Sequence, residues 1–288
     1  MFDLTALEAA LEDTIFAGKL HLSPVTSSTN ADALEAARAG AAHGSVYFAD
    51  EQLAGRGRGD HAWHSAAGEG LYVSVLLRPP IPAARLPLLP LAAGLAAGDA
   101  IRAVSALIVD LRWPNDLLLG PRKMGGILVK AKTQGKTEAG TVAFAVVGIG
   151  INVHQRGFAP GLATPATSLD LETGVSGDAP TREGTPAPAS SLGWKTGHQV
   201  SRQDLLVSLL KSLERETLGL LDPAAGKTIL LRVEQASTWV RGRQVEVHGP
   251  QACTGVTAGL DEHGFLLVRT ADGLVTVQTG GIRAAEMS

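Results

Sequence analysis

Residues 52–63 read Gln-Leu-Ala-Gly-Arg-Gly-Arg-Gly-Asp-His-Ala-Trp and place two arginines between glycines, directly after the apolar stretch 46–49. Glycine lets the backbone adopt conformations that other residues avoid and approach a ligand closely. The guanidinium groups of Arg56 and Arg58 each present a planar fork that fits carboxylate or phosphate oxygens. The run therefore predicts an anion-binding loop. A solvated loop and a flexible nucleic-acid-binding arm are the alternatives, and the rest of the chain has to decide between them.

The composition predicts an ordinary globular protein with a sizeable core. The 288 residues are 45% hydrophobic, enough for one large domain or a catalytic domain with a small appendage. The net charge of −3 disfavours nucleic acid as the main partner, because nucleic-acid-binding proteins usually carry a basic face. The single cysteine, Cys253, excludes an internal disulfide and a multi-cysteine metal site, and it fits a reducing cytoplasm.

Neither a secretion signal nor a membrane span is expected. Residues 1–4 lack the charged start and continuous apolar stretch of a leader. The most apolar region, 86–103, is interrupted by two prolines, two glycines and Asp99, so it is better interpreted as a buried helix.

The apolar patterns predict an α+β fold, with a mixed, mainly antiparallel sheet and helices on one face. Thr29 stands three residues before Asp32, which predicts a cap for the helix that follows. Predicted helices cover 4–17, 31–39 and 86–104, and another begins at Ser201. Predicted strands cover 20–25, 45–49, 71–77, 107–112, 117–119, 126–131 and 142–149.

Two domains are expected. Residues 1–235 form the larger one, and 174–199 is interpreted as a flexible insertion, since 18 of the 25 residues from 173 to 197 are Gly, Pro, Ala, Ser or Thr. Residues 236–288 form a small β-barrel, with predicted strands at 244–247, 252–260, 265–269 and 274–278.

A second motif places chemistry on a tight turn. In the run Arg112-Trp113-Pro114-Asn115-Asp116 an amide and a carboxylate follow a stiffening proline, and Lys123 comes shortly after. Lys123 could hold a phosphate or carboxylate as a point charge. Asp116 could bind a divalent metal, orient Lys123 or take a proton from an amine, and ordinary turn residues would have the same spacing.

Glycines alternate along the predicted strand Val147-Gly148-Ile149-Gly150-Ile151-Asn152-Val153. On one face of that strand the missing side chains would let a flat ring lie against the backbone, with Asn152 free to address a base or sugar. Neither glycine run matches a P-loop or a dinucleotide fingerprint, and the histidines show no zinc spacing.

Together these motifs resemble those of one family, the biotin protein ligases, and they occur here in the same order along the chain as in that family. The matching pieces are Ser28-Thr29-Asn30, Gln52 with Gly55-Arg56-Gly57-Arg58 and Trp63, Gly70-Leu71-Tyr72 with Ser74, Trp113-Pro114-Asn115-Asp116, Lys123 with Gly125-Gly126, Gly148 to Asn152, Ala166-Thr167-Ser168-Leu169 and Gly280-Gly281-Ile282. The resemblance implies a class II synthetase-like catalytic sheet and an SH3-like C-terminal barrel.

The resemblance also implies a two-step reaction. Biotin and Mg-ATP give biotinyl-5'-AMP and pyrophosphate, and a lysine of a biotin carboxyl carrier protein then takes the biotinyl group. Lys123, Arg58 and Asp116 are the implied catalytic residues, and Asp116 is also the implied metal ligand. Biotin-binding residues are implied at Ser28, Thr29, Asn30, Gln52, Gly55, Arg56, Arg58, Gly70, Tyr72, Lys123, Gly125 and Gly126. Adenylate-binding residues are implied at Arg56, Arg58, Trp63, Asn115, Lys123, Gly150 and Asn152.

The implied partners are biotin, ATP and the carrier domain, in the cytoplasm, with neither DNA nor a membrane. The stretch before Val25 is too short for the DNA-binding domain of the family's repressor members, and family members include both monomers and homodimers. Two departures stand out. His61 occupies a position where many members have arginine. Trp194 either stacks on adenine or lies incidentally in the insertion, and we favour the insertion.

Two other functions compete. A lipoate ligase or lipoyl transferase shares the core but gives no reason for the Gly/Arg run followed by Trp63. An RNA-binding protein could use that run as an arm, but a single short run on an acidic chain disfavours this function.

Overall fold

The computed structural model describes residues 2–59, 61–134, 140–174, 199–222 and 225–285. Its helices are α1 Leu4–Ala10, α2 Thr29–Arg38, α3 Leu88–Ser105, α4 Leu169–Thr173, α5 Arg202–Gly219 and α6 Ala225–Gln235. Its strands are β1 Leu20–Thr26, β2 Ser45–Gln52, β3 Gly70–Leu77, β4 Asp110–Arg112, β5 Asp116–Leu119, β6 Arg122–Gln134, β7 Thr141–Asn152, β8 Arg241–His248, β9 Cys253–Leu260, β10 Leu266–Thr270, β11 Gly273–Val277 and β12 Gly281–Ala284. The predicted insertion, including Trp194, falls almost wholly outside the described residues.

Seven strands form one mixed sheet in the order β1-β2-β3-β7-β6-β5-β4. Strands β1 and β2 are parallel, and every other neighbouring pair is antiparallel. The mixed α+β architecture with a mainly antiparallel sheet is therefore confirmed. Strand β3 is buried along its whole length, which places the middle of the sheet in the core.

Helices cover both faces of this sheet, so the prediction of helices on one face is wrong. Val75 and Leu77 of β3 belong to the large core that includes α3 and α5, whereas Leu76 packs with Ala33 and Ala37 of α2. Successive side chains of a strand point to opposite faces. An unbroken apolar strand therefore needs cover on both sides, and the small alanines of α2 provide it on the second face.

Two local predictions at helix starts had different outcomes. Ser201 caps α5, and its hydroxyl accepts the Asp204 N–H at 3.1 Å, as the sequence predicts. For α2 the N-cap is Ser28 and its side chain makes no capping bond, so the predicted cap at Thr29 is wrong. The Thr29 hydroxyl instead faces Gln52 and Ser74. Helix α1 ends at Ala10, seven residues before the predicted end, and α4, α6 and β12 were not predicted.

The C-terminal strands form a five-stranded antiparallel sheet in the order β11-β10-β9-β8-β12. The outer strands β11 and β12 are not paired with each other in the described chain, so an SH3-like closed barrel is not confirmed. This sheet packs on the larger one: Trp113 Nε1 donates to Gly264 O at 3.1 Å, and the buried core runs without a break from α3 into β8 and β10.

Helix α3 has the length and apolar composition of a membrane span, but 67% of it is buried inside the protein. It packs between the sheet and helices α5 and α6, which is the buried core helix that the sequence predicts.

Candidate functional site

A cleft of about 1030 Å³ lies on the α2 face of the large sheet. The start of α2, the 53–65 loop, the β4–β5 turn and the edge of the C-terminal sheet enclose it. Most of the predicted site residues line it together: Ser28, Thr29, Asn30, Gln52, Gly55, Arg56, Arg58, Trp63, Tyr72, Asn115, Asp116, Lys123, Gly126, Gly150 and Asn152. Gly70 and Gly125 do not line the cleft. A Cβ on Gly70 would lie 2.5 Å from the Tyr72 ring, and one on Gly125 would lie 2.8 Å from Gly150 O, so both glycines permit close packing beneath the cleft.

One end of the cleft is a buried polar cluster. Gln52 Oε1 accepts the Thr29 N–H at 2.9 Å, and its Nε2 donates to Ser65 Oγ at 2.8 Å. Thr29 Oγ1 and Ser74 Oγ lie 2.9 Å apart. Asn30 donates from Nδ2 to Leu128 O at 3.3 Å, while its buried Oδ1 has no partner among the described residues. A buried acceptor without a donor is costly, so this end is suited to a ligand that brings N–H groups.

A set of charges lies farther along the cleft. Asp116 accepts from Lys123 Nζ at 2.5 Å on one carboxylate oxygen and from Arg112 Nη2 at 2.6 Å on the other. Arg112 is only 8% exposed and also donates to Thr164 Oγ1 at 2.9 Å. Asp116 is thus held from two sides, and it fixes the ammonium of Lys123 at the cleft wall.

The backbone of Lys123 is fixed as well. Its N–H donates to Pro165 O at 2.7 Å, and its carbonyl accepts the Thr167 N–H at 3.0 Å. Asn152 Nδ2 donates to Thr167 O at 3.0 Å. The 165–167 segment therefore ties Lys123 to the end of β7 and brings Asn152 to the same end of the cleft. On the other side of Lys123, Asn115 donates from Nδ2 to Ile127 O at 2.7 Å, which holds the β4–β5 turn against β6.

The Gly/Arg loop folds back on itself as an irregular hairpin. Gly57 N–H donates to His61 O and Trp63 N–H donates to Gly55 O, both at 2.8 Å. Arg58 leaves the hairpin and donates to Gly280 O, and to Thr279 Oγ1 at 2.6 Å. Burial lowers the pKa of the Arg58 guanidinium below its ordinary value, partly opposed by the charge of Asp116. The loop is therefore anchored on the connection between β11 and β12 of the C-terminal sheet.

The sequence predicts that a flat ring lies against the alternating glycines of this strand. At Gly150 the chain's own Trp63 indole lies there, whereas the space at Gly148 is filled by the Asn30 amide. A Cβ on Gly150 would lie 2.6 Å from Trp63 Nε1, and one on Gly126 would lie 3.7 Å from the same indole. The ring centroid is 5.7 Å from Lys123 Nζ, and the buried indole N–H has no partner among the described residues. Trp63 therefore packs over the floor of the cleft beside the charged set.

The predicted metal site at Asp116 does not fit this arrangement. Asp116 is the one carboxylate among the described residues that line the cleft, and both of its oxygens already face cations. The described parts of the chain hold no group of three or more His, Cys, Asp or Glu side chains able to hold a metal. Magnesium prefers several oxygen ligands in octahedral geometry, which these residues do not offer.

Sequence reasoning missed two parts of the site. Arg112 lies directly across the β4–β5 hairpin from Asp116, and that register is not visible in the sequence. The rim that contains His248, Thr279 and Arg283 comes from the C-terminal part of the chain. It lies more than 80 residues along the chain from the last lining residue of the large sheet's side, Ala166. A cationic residue next to a tight turn was the only available signal for Arg112. The motif Gly280-Gly281-Ile282 marks the segment of the rim, since all three residues line the cleft, but it does not single out His248, Thr279 or Arg283.

Comparison with known proteins identifies relatives over most of the chain. The biotin/lipoate A/B protein ligase family matches residues 22–152, and the biotin protein ligase C-terminal domain matches residues 241–282. The chain is 30% identical to the bifunctional ligase/repressor BirA of Bacillus subtilis over 261 residues, covering 90% of this chain and 71% of that protein. It is 32% identical to the biotin--[acetyl-CoA-carboxylase] ligase of Mycobacterium tuberculosis over 263 residues, covering 89% of this chain and 85% of that protein.

A solved structure extends the likeness to three dimensions. The biotin protein ligase of Aquifex aeolicus in complex with biotin and ATP superposes with a TM-score of 0.69 at 25% identity, covering 92% of this chain and 98% of that chain.

Proposed function

The chain belongs to the biotin protein ligase family, and on that premise we propose that its cleft joins biotin to ATP and passes the biotinyl group to a carrier lysine. The observation that carries this proposal is the order of groups along the cleft. A polar end with an unpartnered acceptor comes first, the Lys123–Asp116–Arg112 set follows, and Asn152 lies beyond. This order matches a ligand with a ureido ring at one end, a carboxylate in the middle and a nucleotide beyond it.

In the first step an oxygen of the biotin carboxylate attacks the α-phosphorus of ATP. The bond to the bridging oxygen breaks, and pyrophosphate leaves with its electron pair. Two anions must meet, so Lys123 and Arg58 would lower their repulsion and stabilise the charge that develops on phosphorus. Asp116 would hold Lys123 in place during this step, as it does in the structure. Arg58 has to leave Thr279 and Gly280 to take part.

In the second step the amine of the carrier lysine attacks the carbonyl carbon of biotinyl-5'-AMP, and AMP leaves. The attacking nitrogen has to lose a proton, and Asp116 is the carboxylate that the cleft offers for it. Mg²⁺ is proposed only as the ion that accompanies the ATP phosphates. The protein residues provide no site for it at Asp116, and no step depends on one.

The polar end favours biotin over lipoate. Biotin carries a ureido group with two N–H donors and a carbonyl acceptor, which suits Asn30 Oδ1 and the Thr29–Gln52 pair. The dithiolane ring of lipoate has no N–H or C=O to satisfy these groups. A site built to hydrogen-bond a substrate rejects the analogue that lacks the bonding groups.

The finer assignments are also proposals. The partner is a biotin carboxyl carrier protein, the location is cytoplasmic, and residues 236–288 form a small C-terminal domain of SH3-like type. The family match to 241–282 and the β8–β12 sheet support the last of these.

The function is tested with purified protein, Mg-ATP, biotin and a carrier domain. We expect pyrophosphate release and a mass increase of one biotinyl group on the carrier, because both half-reactions occur in the cleft. Lipoate in place of biotin should give neither product. Labelling of a carrier by lipoate, with none by biotin, would overturn the assignment.

A further inference from the structure

The segment just before β8 is bonded to the outer edge of the large sheet, where β4 is the last strand. The Leu111 N–H donates to Ala236 O at 2.9 Å, and its carbonyl accepts the Ser237 hydroxyl at 2.5 Å. Thr238 donates from its backbone N–H and its hydroxyl to the two carboxylate oxygens of Asp110, at 2.8 and 2.6 Å. The start of the C-terminal sheet is therefore held directly beside β4.

This attachment brings the ring of Trp239 to the guanidinium of Arg112, which ends β4. Arg112 Cζ lies 5.2 Å from the centroid of the ring, and Arg243 Cζ from β8 lies 3.8 Å from it. Trp239 is only 6% exposed, and cation–π contacts are stronger where water is excluded. Arg112 lines the cleft, whereas Trp239 does not. Trp239 therefore reaches the cleft through Arg112.

The hydrogen bonds of Arg112 leave one motion of its guanidinium open. Its Nε and Nη2 both donate to Asp116 Oδ2, at 3.1 and 2.6 Å, and Nη2 also donates to Thr164 Oγ1 at 2.9 Å. Because two of these bonds converge on a single oxygen, the guanidinium can still tilt about that oxygen. A ring packed against the guanidinium opposes the tilt, since planar guanidinium groups stack on aromatic faces. Trp239 supplies that ring.

The tilt matters because the other oxygen of Asp116 holds Lys123 Nζ at 2.5 Å. A turn of the carboxylate about its contact with Arg112 would move the ammonium away from its place at the cleft wall. We propose that Trp239 is a positioning residue for adenylation, which keeps Arg112, Asp116 and hence the Lys123 ammonium oriented toward the biotin carboxylate. The proposal rests on the adenylating function given above. It gives the C-terminal sheet a part in the first step, since Arg243 of β8 packs on the same ring.

The test measures biotin-dependent pyrophosphate release by variants of this stack. Trp239→Leu should lower kcat about tenfold, the factor expected for one buried cation–π contact. Trp239→Phe keeps an aromatic face and should stay within about threefold of the wild-type rate. Arg243→Leu loosens the ring and should lower kcat roughly two- to fivefold. Its matched control is Arg241→Leu, an exposed arginine of the same strand that pairs with Glu234, and this variant should keep the wild-type rate.

Two further measurements separate positioning from a general loss of structure. Biotinol keeps the ureido ring of biotin and has no carboxylate, so it needs the polar end of the cleft and not the Lys123 ammonium. Its Kd for Trp239→Leu should stay within about twofold of the wild-type value. In a chain that already carries Lys123→Ala, adding Trp239→Leu should lower the rate by less than about twofold, because the group that Trp239 positions is gone.

Several outcomes would overturn the role of Trp239. They are a wild-type kcat in Trp239→Leu, an equally low kcat in Trp239→Phe, weaker binding of biotinol, and a full tenfold loss on top of Lys123→Ala. If Trp239→Leu does not fold, Arg243→Leu decides, and a rate equal to that of Arg241→Leu would overturn the proposal. A wild-type chain that releases no pyrophosphate with biotin and ATP would instead overturn the proposed function, and this proposal with it.

Discussion

At the scale of single residues, the site depends on the Asp116 carboxylate, which pairs with two cations at once. Asp116 holds Lys123 through one oxygen and Arg112 through the other, and Arg112 is almost fully buried. A buried cation is tolerated only when it is paired, so Arg112 and Asp116 require each other. The side chain of Lys123 is 29% exposed, whereas that of Arg112 is 8% exposed. Among Lys123, Asp116 and Arg112, the Lys123 ammonium is therefore the group that a ligand reaches most easily.

Replacing Lys123 with alanine should abolish adenylate formation while the fold survives. The ammonium is the fixed charge nearest to Asp116, and loss of one such electrostatic contact lowers rates by about 10² to 10³. Asp116 keeps its bond to Arg112, so the thermal midpoint should change little. Biotin-dependent pyrophosphate release and a melting curve measure the two effects.

Lys130→Ala is the matched control for that variant, because Lys130 is an exposed lysine on the same strand, β6, outside the cleft. It should keep the wild-type rate. Pyrophosphate release by Lys123→Ala within about threefold of the wild-type rate would contradict the proposed role of Lys123.

At the scale of elements, the sequence predicts most strands but not what covers them. Alternating and continuous apolar runs mark β2, β3 and β7 because their periodicity is local. The position of α2 on the second face is not local, since it depends on Leu76 meeting Ala33 and Ala37. Helix α6 has weak signals at its start, where Gly226 lies, and β12 has only four residues. The cleft residues were found because their motifs are distinctive, whereas Arg112 needed the hairpin register.

Strand β7 should tolerate no side chain at Gly150. In Gly150→Ala the new Cβ would lie 2.6 Å from Trp63 Nε1, so the indole has to move and the loop loses its contact with the floor of the cleft. Overpacking of this kind costs about 1–3 kcal/mol, which predicts roughly tenfold weaker binding of biotinyl-5'-AMP. Titration followed by the change in tryptophan fluorescence measures the affinity.

Gly157→Ala serves as the comparison, since a Cβ there meets no atom within 4 Å. It should bind the adenylate as the wild-type chain does. Equal affinity of Gly150→Ala and Gly157→Ala would show that Trp63 does not need the glycine floor.

At the scale of the whole molecule, Arg58 joins the two sheets across the mouth of the cleft. It belongs to the loop that covers the large sheet, yet its hydrogen bonds go to residues 221 and 222 positions away on the C-terminal side. The two sheets also share one buried core and the Trp113–Gly264 bond, so the C-terminal side offers Arg58 a fixed support. A ligand that needs Arg58 in the cleft must compete with this support.

Weakening that support should therefore tighten ligand binding. Thr279→Val keeps the shape of the side chain and removes the hydroxyl that Arg58 contacts at 2.6 Å. A hydrogen bond to a charged group contributes about 1.5 kcal/mol. Losing it would lower the ratio of chains with Arg58 bonded to the C-terminal side to chains with Arg58 free to bind an anion, by up to roughly tenfold. The apparent Kd for biotin, measured by calorimetry with a non-hydrolysable ATP analogue, should fall severalfold. Thr276→Val, a change on the exposed part of β11, should leave it unchanged. Unchanged or weaker binding by Thr279→Val would mean that Arg58 acts from its docked position, and the C-terminal sheet would then belong to the ligand-bound site itself.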